Sequence, residues 1–315
     1  MPNTTSCQAQ PNPQPNPCNH PYYIQKLFKP NGRSALPREC VVTEPQGRDQ
    51  PDTTKWPSHP CTLNLPKLPK TPPIIPDPRG KHVVIALIPT ANTTKSKVIQ
   101  ERLLFTRPQW VAREDLHFVT VPADSGVGEQ PYDGAGLRGA YNRIVNAVQL
   151  ALGGDADGVG RRAVDKVLRG LTGNEQVTVL AGAVENFISR QRTDLKERLP
   201  GGLERDVVRP VDYGVVAFCR VGLGGAQPWV WRARVSEGVT VPTEYWRATE
   251  AMWGFEDGEK KQHGKVTVGS VIAANVPGVD KADWHMALTK TETSRYTILM
   301  KAMQNLTVPW PEPNR

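Results

Sequence analysis

Two stretches of this 315-residue chain hold residue types suited to gripping an anion. In "IPTANTTKSKVIQERLLF", Thr93, Thr94, Lys95, Ser96 and Lys97 fall where a helical pattern begins. Backbone N–H groups, hydroxyls and ammonium groups at a helix start can surround a phosphate. The same residues also suit a capped helix with solvated lysines. In "SGVGEQPYDGAGLRGAYNRIVNA" (125–147), Gly126 and Gly128 allow a tight turn, Pro131 stiffens it, and Asp133 stands near the helix start. Arg143, two turns into that helix, either reaches a phosphate bidentately or packs its stem and pairs locally. Arg138, five residues earlier, lies about 140° away around the helix and does not share its face.

Phosphoryl or pyrophosphoryl hydrolysis needs more than an anion grip. Carboxylates must hold a divalent metal, and a base or the metal must activate water. Glu185 follows the apolar stretch "VTVLAGAV", and a carboxylate at the carboxyl end of a buried strand is where open α/β sheets place ligands. Asp212, at the start of the next strand, is its possible partner across the sheet, and Asp124 is a third choice. Each also suits a carboxylate that caps a neighbouring helix. His285, in "DWHMAL", has no serine or cysteine nucleophile motif beside it and reads as a buried structural histidine. Trp229, Trp231, Trp246 and Trp253 read as packing groups.

The elements that must position these residues begin at "KHVVIALIPT" (81–90), a short β-branched run typical of a buried strand. A helix over 95–105, a strand over 116–123 and an amphipathic helix over 136–153 follow. Further strands are expected at 177–184, 211–221 and 229–241. "PTEYWRATEAMWGF" reads as helix, 266–274 as a strand or buried helix, and 294–306 as a final helix. Strands alternating with helices, then a block of strands, imply an α/β domain with a mixed sheet.

Residues 1–80 differ in kind. They hold 18 of the 30 prolines and read as an extended arm or linker ahead of a domain over 81–315. "YYIQKLF" (22–28) and Trp56 offer anchors by which such an arm becomes ordered along a partner. The net charge of +8 suits weak attraction to nucleic acid, acidic protein or an anionic surface, but no run of five basic residues appears. Cys7, Cys18, Cys40 and Cys61 lie in the arm near His20 and His59, without a CxxC spacing that would mark a zinc site. The start "MPNTTSCQAQ" lacks the pattern of a signal or transit peptide, and no apolar run reaches about 18 residues. The expectation is a cytoplasmic protein with no membrane span.

Three stretches together resemble a family. "SGVGEQPYDGAGLRGAYNRIVNA" is similar to a segment of the inosine/xanthosine triphosphatases, and "VLAGAVENFI" fits the place of their "IEAGI" strand end. "VTVGSVIAANVPGVDKADWHMALTKTETSRYTILMKAM" resembles more closely the related proline-rich coiled-coil protein 1 branch of that superfamily. The resemblance covers about residues 82–307 and implies a long mixed sheet with two lobes around a nucleotide cleft. It implies Mg²⁺ or Mn²⁺ if the chain is active, with Glu185 as catalytic and metal residue; Asp212 joins it as second ligand by its place across the sheet. Lys97 takes the place of the family's first-loop lysine, with Thr94 and Lys95 beside it; a shift of two residues puts Asn92 and Lys95 there instead. Asn142 and Arg143 match the family's "NR" pair, Arg295 an arginine ahead of the last helix, and Lys265 a lysine whose following glutamate is missing here. The damaged first loop and that missing acid point to a binding, adaptor or assembly component that has lost most hydrolysis. The other outcome is a working ITP/XTP phosphohydrolase. Partners would be proteins met through the arm or domain surface, a purine nucleotide and a second copy; early secretory membranes enter by resemblance alone.

Overall fold

The computed structural model describes residues 40–45, 50–56, 81–153, 158–172, 175–198, 201–222, 228–289 and 293–312. In chain order the elements are β1 (Val42–Thr43), β2 (His82–Ile88), α1 (Thr93–Thr106), β3 (Leu116–Thr120), β4 (Gln130–Pro131), α2 (Gly134–Leu152) and α3 (Val159–Arg169). The long strands β5 (Gln176–Arg198) and β6 (Glu204–Val221) follow, then β7 (Val230–Val235), β8 (Gly238–Thr240) and α4 (Thr243–Trp253). The rest is β9 (His263–Gly264), α5 (Val268–Asn275), α6 (Trp284–Leu288) and α7 (Arg295–Gln304).

The chain is an α/β protein with a mixed seven-stranded sheet, ordered β1-β8-β6-β5-β2-β3, with β7 also paired to β6. Strand β2 lies parallel to both β3 and β5, and β5 runs antiparallel to β6. All seven residues of β2 are buried, as expected of a central strand covered on both faces. Alternation then divides them. Ile85 and Leu87 meet Ala140, Ile144 and Val148 of α2, while Val84, Ala86 and Ile88 meet Val98, Ile99 and Leu103 of α1 and Leu299 and Met303 of α7. A third cluster, around Tyr132, Trp246, Ile272 and Trp284, joins α4, α5 and α6.

Several sequence expectations are corrected in extent. Strand β5 runs on for 23 residues and β6 for 18, so the pair makes one long hairpin. Its outer part carries charge on both faces, which hides it from hydrophobic periodicity. The single strand expected over 229–241 is broken at Ser236–Glu237 into β7 and β8. Residues 266–274 hold a helix, α5, capped by Thr267, whose side chain accepts from the Ser270 N–H at 3.1 Å. Helix α3 lies where the sequence reading marks no element; half of its run "GRRAVDKVLR" is charged, and it buries only Gly160 and Val164.

Residues 40–45 and 50–56 pack on the domain although the sequence places them in an arm. Strand β1 pairs antiparallel with β8, and the Cys40 N–H donates to the Leu288 carbonyl at 2.9 Å. Trp56 meets Tyr141 and Trp231 edge-on, at 5.6 and 5.1 Å between ring centroids. The Cys40 thiol is buried, and burial, with Glu244 adding to it, pushes its pKa up to about 12. That leaves it a packing group rather than a nucleophile. Cys7, Cys18, Cys61, His20, His59 and the "YYIQKLF" anchor lie outside the described residues. Among the described residues no helix is long and apolar enough to cross a membrane.

Candidate functional site

Strand β2 stops pairing with β5 at Leu87–Ala181, and β5 continues past it. Glu185, four residues further on, is therefore in mid-strand, not at the end of its own strand as the sequence suggests. It stands beyond the carboxyl end of β2 instead. Asp212 is likewise inside β6, opposite Ile188, rather than at its start. Both line one cleft of about 460 Å³.

The walls of this cleft are helix beginnings. Asn92 caps α1, accepting from the Lys95 N–H at 3.0 Å, and Thr94 and Lys95 face inward from its first turn. Thr267 to Ser270 line the cleft from the start of α5, and Arg295 and Tyr296 from the start of α7. Ser294 caps α7 by accepting from the Thr297 N–H at 3.0 Å. Three N-terminal turns thus converge on one space, each bringing the positive end of a helix dipole, with the N–H groups of Lys95, Val268, Ser270, Arg295 and Thr297 already taken by side-chain oxygens. Asn92 and Lys95 occupy the cleft wall. Lys97 does not line it; it is 63% exposed, 3.8 Å from Glu101 and 5.0 Å from the Tyr296 ring centroid.

The buried carboxylates are each held by cations. Lys95 Nζ is 3.2 Å from Glu185 Oε1, Arg143 Nε donates to Oε2, and Arg143 Nη1 donates to the Ala123 carbonyl at 2.7 Å. Arg143 thus takes the local role that the sequence left open. Burial alone would raise the Glu185 pKa, but Lys95 and Arg143 together outweigh it and hold the carboxyl below its usual range. Burial lowers Lys95, with Arg143 and Arg295 pressing the same way against Glu185. Asp212 accepts from Arg295 Nη2 at 2.6 Å and stands 2.9 Å from His285 Nε2. Against its burial, Arg295 and His285 keep Asp212 ionised below its usual range.

Both depressed carboxylates have the same sign of linkage. Their stabilising effect is complete above the unfolded-state values and is lost as pH falls through the lower folded-state values. Acid should therefore destabilise the domain progressively below about pH 4. A melting series from pH 6 to pH 2 should show a shallower acid limb for Asp212→Asn than for the wild type. Identical limbs would mean that Asp212 does not carry this dependence.

The remaining expected residues divide between supporting the walls and lying away from them. Asn142 Nδ2 donates to the Ser125 carbonyl at 2.8 Å, holding the glycine-rich loop onto α2. Asp124 is exposed and accepts from the Gly126 N–H at 3.0 Å, closing a turn. Asp133 (φ 50°) caps no N–H of α2; its carboxylate accepts from the Arg190 N–H and Nε instead, both at 2.8 Å. Lys265 is exposed and lies outside the cleft wall. A Cβ on Gly139 would stand 2.7 Å from Val127 Cγ2 and 3.0 Å from Glu185 Cγ, so the absence of a side chain there lets α2 approach the acid. Sequence reasoning missed Glu129, Gln130, Asp280 and Asp283, which also line the cleft. Gln130 ties the loop to α5 by accepting from the Val268 N–H at 3.1 Å.

Among the described residues no three His, Cys, Asp or Glu side chains come together as a metal site. Glu185 and Asp212 face cations, so the donor set as it stands suits an anion better than Mg²⁺ or Mn²⁺. Compared with protein-family models, curated proteins and solved structures, the chain finds no match in any of the three.

Proposed function

We propose that this chain binds a phosphorylated ligand in the cleft and acts mainly as a binding, adaptor or assembly component. In this reading it is a noncanonical purine NTP phosphatase-like protein of the proline-rich coiled-coil protein 1 kind, with hydrolysis lost or weak. The convergence of three helix N-terminal turns with Lys95 and Arg295 is the observation that carries it, because the positive ends of helix dipoles and fixed cations favour an anion held away from bulk water. Weak hydrolysis fits a Glu185 whose two oxygens are already taken by Lys95 and Arg143. The second reading, an active Mg²⁺- or Mn²⁺-dependent ITP/XTP phosphohydrolase, is favoured by Glu185 and Asp212 lining the same space.

A single set of measurements separates the two. ITP and XTP at about a hundred times Kd should add roughly 2.7 kcal/mol to folding stability. For a domain of this size that is a rise of about 5–10 °C in Tm. Lys95→Met should abolish the ligand-dependent rise, and phosphate release with Mg²⁺ or Mn²⁺ should stay at the blank. Turnover that disappears in Glu185→Gln would establish the phosphohydrolase instead. No rise at saturating nucleotide would remove the cleft from nucleotide binding altogether.

A further inference from the structure

We infer that His285 is a positioning residue: through Asp212 it fixes the Arg295 guanidinium that meets the anionic group of the ligand. The inference rests on anion binding at this cleft. Four groups close a ring. Arg295 Nη2 donates to Asp212 Oδ2 at 2.6 Å, and His285 Nε2 lies 2.9 Å from the same oxygen. On the other side, Asp283 Oδ1 accepts the Arg295 backbone N–H at 2.7 Å and stands 3.6 Å from His285 Nδ1. The arginine is therefore held twice, by its side chain through Asp212 and by its main chain through Asp283, with His285 between the two carboxylates.

His285 is only 2% exposed and lies against Trp284, with ring centroids 4.1 Å apart. It does not line the cleft, whereas Arg295, Asp212 and Asp283 do. A carboxylate only accepts, so the hydrogen bond to Asp212 places the proton on Nε2. A carboxylate with Arg295 as its one donor would be free to turn about its terminal torsion, carrying the guanidinium with it. A second donor on the same oxygen removes that freedom. Arginine recognises oxyanions through a rigid planar fork, so its direction matters as much as its charge.

The test uses the full chain, with inorganic tripolyphosphate and ITP as probes and calorimetry as the measurement. His285→Leu should weaken binding of both probes about tenfold, the scale on which a residue without ligand contact acts through a neighbour. His285→Gln returns an amide N–H near the Nε2 position and should bind as the wild type does. A histidine that merely stabilises the fold would lower the ligand-free Tm of both variants and leave both affinities unchanged. Wild-type affinity in His285→Leu, or equal losses in the two variants, would overturn the inference while leaving anion binding intact. A wild type that binds neither probe would overturn the anion site itself, and the inference with it. If His285→Leu does not fold, Asp212→Asn decides in the same way: an unchanged affinity there also overturns it.

Discussion

A chain that begins at residue 76 should melt roughly 10 °C below one that begins at residue 39, on the scale of a few degrees per kcal/mol for a domain of this size. The longer truncation removes β1 from β8 and takes Cys40, 5% exposed, out of the third cluster. It also removes Trp56 from the Tyr141–Trp231 pair and Gln50 from the Val235 N–H, which it meets at 3.2 Å. Losing a partly buried tryptophan and a short strand together should cost about 3–5 kcal/mol. The sequence argues the opposite, since a proline-rich stretch without apolar periodicity has little to add to a core. What that argument omits is that single anchors can matter without a period. Equal melting of the two truncated proteins, measured by circular dichroism, would show the contacts of residues 40–56 to be energetically idle.

Arg143→Ala should lower stability by about 3 kcal/mol, the cost of breaking a buried ion pair from one side. A partly exposed arginine paired at the surface would be worth no more than about 1 kcal/mol. Two observations decide for the larger figure. Glu185 is 4% exposed, and Arg143 also satisfies the Ala123 carbonyl. Without the guanidinium, Oε2 is left buried with no cation, and Lys95 alone must hold the charge. Urea denaturation of Arg143→Ala, Glu185→Ala and the double variant gives the coupling directly. Additive losses would mean that the pair is not a unit and that Glu185 is secured by Lys95 alone.

The parts of this fold that the sequence shows are those whose physical signal is local. Strand β2 announces itself as an apolar run and α2 as small and aliphatic residues three and four apart, whereas the apolar run of α5 leaves strand and helix open until the Thr267 cap is seen. The site is half legible. Lys95, Glu185 and Asp212 stand out by charge beside apolar segments, Arg295 entered by the resemblance alone, and the structure gathers all four at one cleft. What sequence spacing does not show is partnership. Nothing near Glu185 in the chain tells that Lys95, 90 residues earlier, and Arg143, 42 residues earlier, occupy its oxygens. Asp283 escapes notice for the same reason, since its importance lies in a backbone N–H of another helix. The choice between Lys95 and Lys97 depends on where α1 begins, a boundary fixed by the Asn92 cap rather than by hydrophobic pattern.

The outer half of the β5–β6 hairpin also bears on how the protein behaves in company. Among the described residues, those from Arg190 to Arg198 and from Glu204 to Arg209 have only each other as strand partners. Two long open edges of that kind are ordinarily templates for aggregation. Here the three rungs nearest the turn are Lys196–Asp206, Glu197–Arg205 and Arg198–Glu204, consecutive opposite-charge pairs. Within one hairpin these three rungs are attractive. When two copies of β6 meet edge to edge around a dyad on Val207, Arg205 faces Arg209 of the other copy. A dyad on Arg205 sets Glu204 against Asp206 instead. The charges that zip the hairpin internally therefore repel its own copies in these registers, and the chain carries a long exposed ribbon with a built-in resistance to polymerising through it.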